Sequence, residues 1–153
     1  FHNSVRFEEL FKNFPRLDSN NKPKPYKPSH INHPMCNWVY GNENNFYWAL
    51  DYSSALLEVY NSRNGKIHKC SDIISWIKEN PPKLPTDEII RFPQCFGPRE
   101  DLIRQSPVKG YRLYYAFEKR SFDTKGYATW NKKYDPPKWF EKLIYQYSLD
   151  YPS

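Results

Sequence analysis

The stretch that decides the fold is ENNFYWALDYSSALLEVYNSRNG, residues 43–65. Its apolar side chains recur every three or four residues, which is the period of an α-helix. Asn64 and Gly65 follow, and glycine accepts the left-handed backbone that often ends a helix. The stretch predicts a long central helix over 43–63. Its inward positions are expected at Phe46, Ala49 or Leu50, Ser53, Leu56 or Leu57, and Tyr60.

Shorter helices are predicted on both sides of this central one. Prolines and small polar residues mark their ends, because proline suits a first helical turn and stops a helix further in. No segment shows the period-2 alternation of a strand, so the chain is expected to be all-α. The short segments are 4–14, one from Pro34 to Gly41, 72–79 with Ser71 as N-cap, 106–122, a turn over 127–133, and one from Pro136 or Pro137 to Tyr147.

Two proline-rich segments, residues 18–34 and 80–105, lack any periodicity and are predicted to be irregular loops. A chain of 153 residues has the usual size of one domain. We therefore expect a compact single domain over 1–153, with about five helices and two long Pro-rich loops.

The composition shapes both the core and the surface. Hydrophobic residues reach 39% and mean hydropathy is −0.92, yet aromatics reach 18%, so the core must rest on Tyr, Trp and Phe. No apolar run approaches the roughly 18 residues of a membrane span, and disorder does not fit the aromatic content. We expect a soluble cytoplasmic protein with no membrane partner.

The charge indicates a polyanionic partner. Lys and Arg number 23 against 17 acids, a formal net charge of +6. A positive field concentrates nucleic acid, nucleotides or anionic lipid, although a merely solubilising surface explains the charge as well. The many Tyr and Trp residues favour nucleic acid, because their rings can stack on exposed bases.

Cofactors and metals are not expected. Of the possible zinc ligands, His30, His33, His68 and three cysteines, only His30 and His33 have the spacing of a structural pair. Cys36, Cys70 and Cys95 belong to no nucleophile or C-x-x-C motif, so we interpret them as buried structural thiols in a reducing compartment. No Gly-rich phosphate loop is present.

One constellation of site candidates surrounds the central helix. A helix start, flat rings and a cluster of cations are the features that hold phosphates and bases. The alternative is that both tryptophans are core and that His33 is a helix cap. The candidates are His33, Trp38, Tyr47, Trp48, Lys66, His68 and Lys69 for nucleic acid, and Glu58 for catalysis.

A second basic and aromatic cluster lies nearer the C-terminus. As a surface facing a backbone it predicts salt-sensitive binding, and the alternative is a solvated helical face with rings beneath. From it we take Arg112, Lys119 and Trp130 as nucleic-acid-binding candidates. The cluster comprises Arg112, Lys119, Arg120, Lys125, Lys132, Lys133 and Lys138, with Tyr114, Tyr115, Tyr127, Trp130 and Trp139.

Several segments resemble a family of small phage proteins that are similar to pyrimidine dimer DNA glycosylases (endonuclease V-like). The resemblance covers most of residues 25–140, and its most specific parts are the His-Pro…Trp segment and the GKIHK block. The segments are PYKPSHINHP, Trp38, NNFYWALDYSSALLEVYNSRNGKIHKC, PVKGYRLYYAFEKRSF and ATWNKKYDPPKWF.

The resemblance implies an α-helical enzyme that removes damaged or modified pyrimidines from DNA. Such enzymes attack the sugar C1′ with an amine and form a Schiff base, which permits strand cleavage. In the family, the amine and the key Glu belong to a segment that precedes the region written here, and neither maps onto this chain. Because the chain starts at Phe1, we expect a missing N-terminal segment or a companion chain.

Two main hypotheses follow. The first is a DNA glycosylase-like protein, with lyase activity if the missing segment supplies the nucleophile, located in the host cytoplasm if phage-encoded. The alternative is a non-catalytic factor that binds nucleic acid or a host protein. A third possibility is a pocket for a free nucleotide.

Overall fold

The computed structural model describes residues 9–86, 91–117 and 135–150. These residues form helices and no strand, so the all-α prediction is confirmed. The helices are α1 Pro34–Gly41, α2 Glu43–Asn64, α3 Ser71–Glu79, α4 Glu100–Ile103, α5 Pro107–Phe117 and α6 Lys138–Asp150.

The contacts divide the chain into two compact units, Phe1–Arg91 and Phe92–Ser153. The first contains α1 to α3, and the second contains α4 to α6. Each unit has buried apolar side chains of its own, Trp38 and Leu50 in the first and Phe96 and Leu102 in the second. The single domain expected over 1–153 stays a prediction.

The corner between α1 and α2 is built on buried asparagines. Asn42 is fully buried, ends α1 and caps α2, where its Oδ1 accepts a hydrogen bond from the Asn44 N–H at 2.8 Å. Asn45 Nδ2 donates to the Trp38 carbonyl at 3.0 Å. Buried amides must be hydrogen-bonded, so these pairs determine how α1 packs on α2.

Helix α2 confirms the long central helix predicted over 43–63. It ends at Gly65, whose φ of 60° is the left-handed conformation expected from the sequence. Leu50 is buried and Leu57 half-buried, whereas Leu56 is 57% exposed. The inward face therefore contains Leu50 and Leu57, and Leu56 points outward.

Helix α3 covers the predicted 72–79, but its cap differs. Cys70 holds the N-cap position, and Ser71 is already the first helical residue, with a hydroxyl that finds no hydrogen-bond partner among the described residues. Trp76 anchors the helix, because its Nε1 donates to the Lys12 carbonyl at 2.9 Å. Its ring stacks on Phe11 and meets Phe14 edge-on.

The first predicted helix is shorter than expected at its C-terminal end. Glu9 and Leu10 are helical, and a turn then ends at Asn13, whose φ is 56°. Phe14 lies beyond that turn and is buried. The rest of the predicted helix, residues 4–8, lies outside the described residues.

The segment that follows Pro15 contains an ordered turn. Asp18 Oδ1 accepts the N–H groups of Asn20 and Lys22, at 2.8 and 3.0 Å. Leu17 and Pro23 form an isolated antiparallel bridge across this turn. Part of the predicted loop over 18–34 therefore has a specific local structure.

The second unit corrects the predicted loop over 80–105, because it includes the short helix α4. A turn at Gly97, with φ of 61°, precedes α4, and Arg99 pairs with Asp101 at 2.8 Å. Helix α5 confirms the start predicted at Pro107. The expected continuation over 118–122 and the turn over 127–133 lie outside the described residues.

The core of the second unit depends on a close approach of Phe96 to α5. A Cβ on Gly110 would lie 2.8 Å from the Phe96 ring and 2.9 Å from the Leu102 carbonyl oxygen. Tyr111 donates its hydroxyl to the Pro93 carbonyl at 3.1 Å and accepts from the Cys95 N–H. The irregular segment before α4 is thus held against α5 by these hydrogen bonds.

None of the helices in the described parts of the chain combines the length and the apolar character that crossing a lipid bilayer requires.

Candidate nucleic-acid interface

Residues 65–70, here called the cation loop, join α2 to α3. The loop is attached to α2 at two points: the Gly65 N–H donates to the Asn61 carbonyl at 2.9 Å, and the His68 N–H donates to Asn61 Oδ1 at 2.8 Å. On the other side, the Ser71 N–H donates to the His68 carbonyl at 2.9 Å. A loop held in this way presents its side chains from a defined backbone.

His68 is oriented by its surroundings. Its Nδ1 accepts the Cys70 N–H at 3.1 Å, and the Tyr60 ring lies edge-on at 4.6 Å between centroids. In the neutral ring the proton therefore resides on Nε2, which is a hydrogen-bond donor. His68 can donate from Nε2 to an anion in either protonation state.

Lys66 and Lys69 provide the charge of the cation loop. Both are exposed, and within residues 9–86, 91–117 and 135–150 neither forms an ion pair. The loop leads into the start of α3, where the helix dipole adds partial positive charge, although Asp72 stands in the first turn. This arrangement suits phosphate oxygens.

The aromatic candidates differ in how far their side chains are exposed. Trp38 is only 5% exposed and packs edge-on against Trp48, so its ring lies beneath the surface, as the core alternative predicted. Trp48 is 48% exposed and Tyr47 41% exposed. Trp48 is also stacked on Tyr52, with ring planes 6° apart and centroids 5.4 Å apart.

The structure does not bring the exposed rings and the cation loop together. They lie toward opposite ends of α2, and at 1.5 Å per residue Trp48 is about 24 Å along the axis from the helix end that leads into the loop. The residues predicted to form one constellation therefore form two separate surfaces, one on α2 and the other on the loop that follows it.

His33 and Glu58 have different settings. His33 caps α1, its Nδ1 accepting the Met35 N–H at 3.1 Å, which matches the helix-cap alternative. Glu58 is exposed on α2, without the burial that commonly tunes a catalytic carboxylate. Both assigned roles stay predictions.

The C-terminal cluster is described only in part. The Arg112 guanidinium lies 5.4 Å from the centroid of the Trp139 ring, and Tyr115 meets Trp139 edge-on. Lys119 and Trp130 lie outside the described residues. Arg112 is thus an exposed cation supported by a ring, and its role in binding stays a prediction.

Within the described residues, no three His, Cys, Asp or Glu side chains are grouped so that they could hold a metal ion. Cys36, Cys70 and Cys95 are free thiols, half-buried rather than fully buried as predicted. Burial raises the pKa of Tyr111, whose phenol is hydrogen-bonded to the backbone of Pro93 and Cys95.

Sequence reasoning missed three residues that shape these surfaces. Asn61 attaches the cation loop to α2, Tyr60 packs on His68, and Tyr52 extends the exposed ring stack. The sequence contains a pattern that could have predicted the role of Tyr52, since this residue lies four positions after Trp48 on the same helical face. No such pattern exists for Asn61, because its hydrogen bond to residue 68 depends on the turn at Gly65.

Comparison with protein-family models, curated proteins and solved structures finds no match to this chain.

Proposed function

We propose that the protein binds DNA through the cation loop, as part of a DNA glycosylase-like protein that acts on damaged or modified pyrimidines. The observation that supports DNA binding is the exposure of the Lys66 and Lys69 side chains. Both are exposed on a loop held by hydrogen bonds at each end, without an ion pair among the described residues. Two exposed ammonium groups and the half-buried His68 imidazole then lie on one short segment.

The energetics favour a polyanion at this loop. A lysine that neutralises a phosphate releases a condensed counterion, and this release drives sequence-independent binding. Asn61 and Ser71 already hold the loop backbone, so binding costs less ordering entropy than it would for a mobile loop. Such contacts position a duplex and leave recognition of the base to other groups.

The glycosylase part of the proposal is supported by the sequence resemblance, whose GKIHK block is the cation loop itself. The reaction requires an amine that attacks C1′ as the bond to the base breaks, giving a Schiff base and a free base. The target nucleotide must leave the base stack for this attack. Glu58 is the one helix-borne acid of this chain that we assign to the chemistry, apart from the Glu that the family draws from the preceding segment.

DNA binding is tested with Lys66→Ala and Lys69→Ala combined, on the natural full-length protein. Binding of a fluorescent duplex is measured between 50 and 200 mM salt. Losing two phosphate contacts should lower the slope of log affinity against log salt by about 2. The matched control, Lys78→Ala with Lys83→Ala, removes two exposed lysines at the other end of α3, one in its last turn and one beyond it, and should preserve the slope. Equal slopes for both variants would exclude the cation loop as the binding surface.

Catalysis is tested by trapping. The full-length protein is incubated with a duplex that carries a modified pyrimidine, and borohydride then reduces any Schiff base to a stable adduct. Glu58→Gln should reduce the yield of adduct while the DNA affinity is retained. If the duplex is bound and neither adduct nor abasic product forms, the non-catalytic alternative is correct.

A further inference from the structure

Helix α2 presents an apolar surface on the side opposite its core. We call the residues Trp48, Tyr52, Ala55, Leu56 and Val59 the α2 stripe. Trp48, Tyr52, Ala55 and Val59 follow one another at intervals of four, three and four residues, the spacing of one helical seam, and Leu56 borders it. Tyr52 is 58%, Leu56 57% and Val59 46% exposed. The outer face of a surface helix is normally polar, so this stripe needs a separate explanation.

The rings of the α2 stripe are held in place from below. Buried Trp38 meets the Trp48 ring at 80° and 5.5 Å, and Trp48 in turn stacks on Tyr52. A partner would meet a flat surface that is already ordered, which lowers the entropy cost of association. Exposed Trp and Tyr at the centre of a patch are also the residues that dominate binding energy at protein interfaces.

The rim of the stripe is acidic. Asp51 and Glu58, seven residues apart, border the stripe along one side of α2, and both are exposed. Among the described residues neither carboxylate forms an ion pair. On a chain with a net charge of +6, this rim is a local reversal of sign that attracts cations.

We propose that the α2 stripe is a protein-binding surface whose partner is an amphipathic helix with an apolar seam flanked by Lys or Arg. The seam of the partner packs between Trp48 and Val59, and its cations meet Asp51 and Glu58. Flanking charges of this kind select partner and orientation in paired helices. This inference is independent of DNA binding by the cation loop. It shares Glu58 with the proposed chemistry, which the Glu58→Gln trapping experiment tests separately.

The test uses two synthetic helical peptides with the same leucine seam, one flanked by lysines and the other by glutamates. Isothermal titration calorimetry with the full chain should show at least tenfold tighter binding of the lysine peptide. Asp51→Lys combined with Glu58→Lys should reverse this preference. Lys66→Ala with Lys69→Ala is the matched control and should leave both peptide affinities unchanged.

A second variant distinguishes weaker binding caused by a change in the stripe from weaker binding caused by misfolding. Leu56→Ser changes one exposed side chain of the stripe and keeps both acids, and circular dichroism checks the helix content. It should lower the affinity for the lysine peptide at least fivefold, while the helix content of the protein stays unchanged.

Other outcomes overturn the proposal. Equal binding of the two peptides would show general adhesion of an apolar patch, and no saturable binding would show that the stripe accepts no such helix. Concentration-dependent dimerisation that Leu56→Ser abolishes would identify a second copy of the chain as the occupant. Displacement of the peptide by single-stranded DNA would assign the stripe to nucleic acid.

Discussion

The α2 stripe lies on helix α2 and the cation loop follows directly after it, yet the two surfaces differ in their chemistry. The loop has two exposed lysines and a histidine, and its backbone is held by hydrogen bonds that it donates to Asn61 and accepts from the Ser71 N–H. The stripe has exposed rings, and packing on Trp38 holds them. Exposed positive charge suits a polyanion, whereas apolar area with an acidic rim suits a protein. The two surfaces therefore differ in the class of partner that we propose for them.

The largest expected effect sharpens the distinction between the two faces of α2. Leu50→Ala removes a buried side chain and should lower the free energy of unfolding by about 2–5 kcal/mol. Leu56→Ala removes an exposed one from the stripe and should change it by less than about 0.5 kcal/mol. Urea unfolding followed by circular dichroism measures both. A similar loss in both variants would mean that the stripe belongs to the core.

The next effect concerns the attachment of the cation loop. Asn61→Ala leaves the His68 N–H without its acceptor and should cost about 1–2 kcal/mol of stability. DNA affinity should also fall, because the lysines lose their defined backbone. Asn64→Ala, which removes a bond to the Tyr60 carbonyl within α2, is the control and should preserve DNA affinity. Fluorescence anisotropy with a labelled duplex compares the two, and equal affinities would contradict the role given to Asn61.

A smaller effect is expected at the end of α2. Gly65 has a φ of 60° with open space around it, so Gly65→Ala is costly through its backbone alone, by about 1 kcal/mol. Gly65→Asn should cost less, because asparagine tolerates this conformation better. Thermal unfolding ranks the variants. The reverse order would indicate that the loop adopts another backbone.

The smallest effect is expected at the turn that Asp18 holds through its carboxylate. This turn serves as a comparison for the cation loop, which is held by the amide side chain of Asn61 instead. Hydrogen bonds from the Lys22 and Asn20 N–H groups lower the pKa of Asp18 in the folded chain. The folded state therefore favours the ionised carboxylate. This stabilisation is fully present above about pH 4, the ordinary pKa of an aspartate, and it is lost as the pH falls through the lowered pKa of Asp18 in the folded chain. The Tm difference between the native chain and Asp18→Asn, which does not titrate, should narrow between pH 5 and pH 2. A constant difference would exclude this contribution.

The helices were predictable where local chemistry defines their ends. Pro34 at a first turn, Gly65 at a left-handed cap and the apolar spacing of α2 are local signals, and the structure agrees with them. Helix α4 was missed, because four residues cannot show a period and proline-rich flanks resemble a loop. The cap of α3 was displaced by one residue, since Ser71 is a favourable cap type that the turn after His68 instead places inside the helix.

The candidate site was less predictable, because proximity and exposure depend on packing. Trp38 and Trp48 are the same residue type, yet one is 5% and the other 48% exposed. The choice between Leu56 and Leu57 was open for the same reason, since both lie at helical spacing. Trp48 and the cation loop were grouped in one constellation, but the length of α2 separates them.

The amino-acid sequence by itself determined the helical class, the extent of α1 and α2, and the excess of positive charge, because each depends on residue type and short-range spacing. Tertiary structure decided which face of α2 is covered, which tryptophan reaches solvent, and how Asn61 holds the cation loop. These features depend on which residues distant in sequence come into contact, and no local pattern records that.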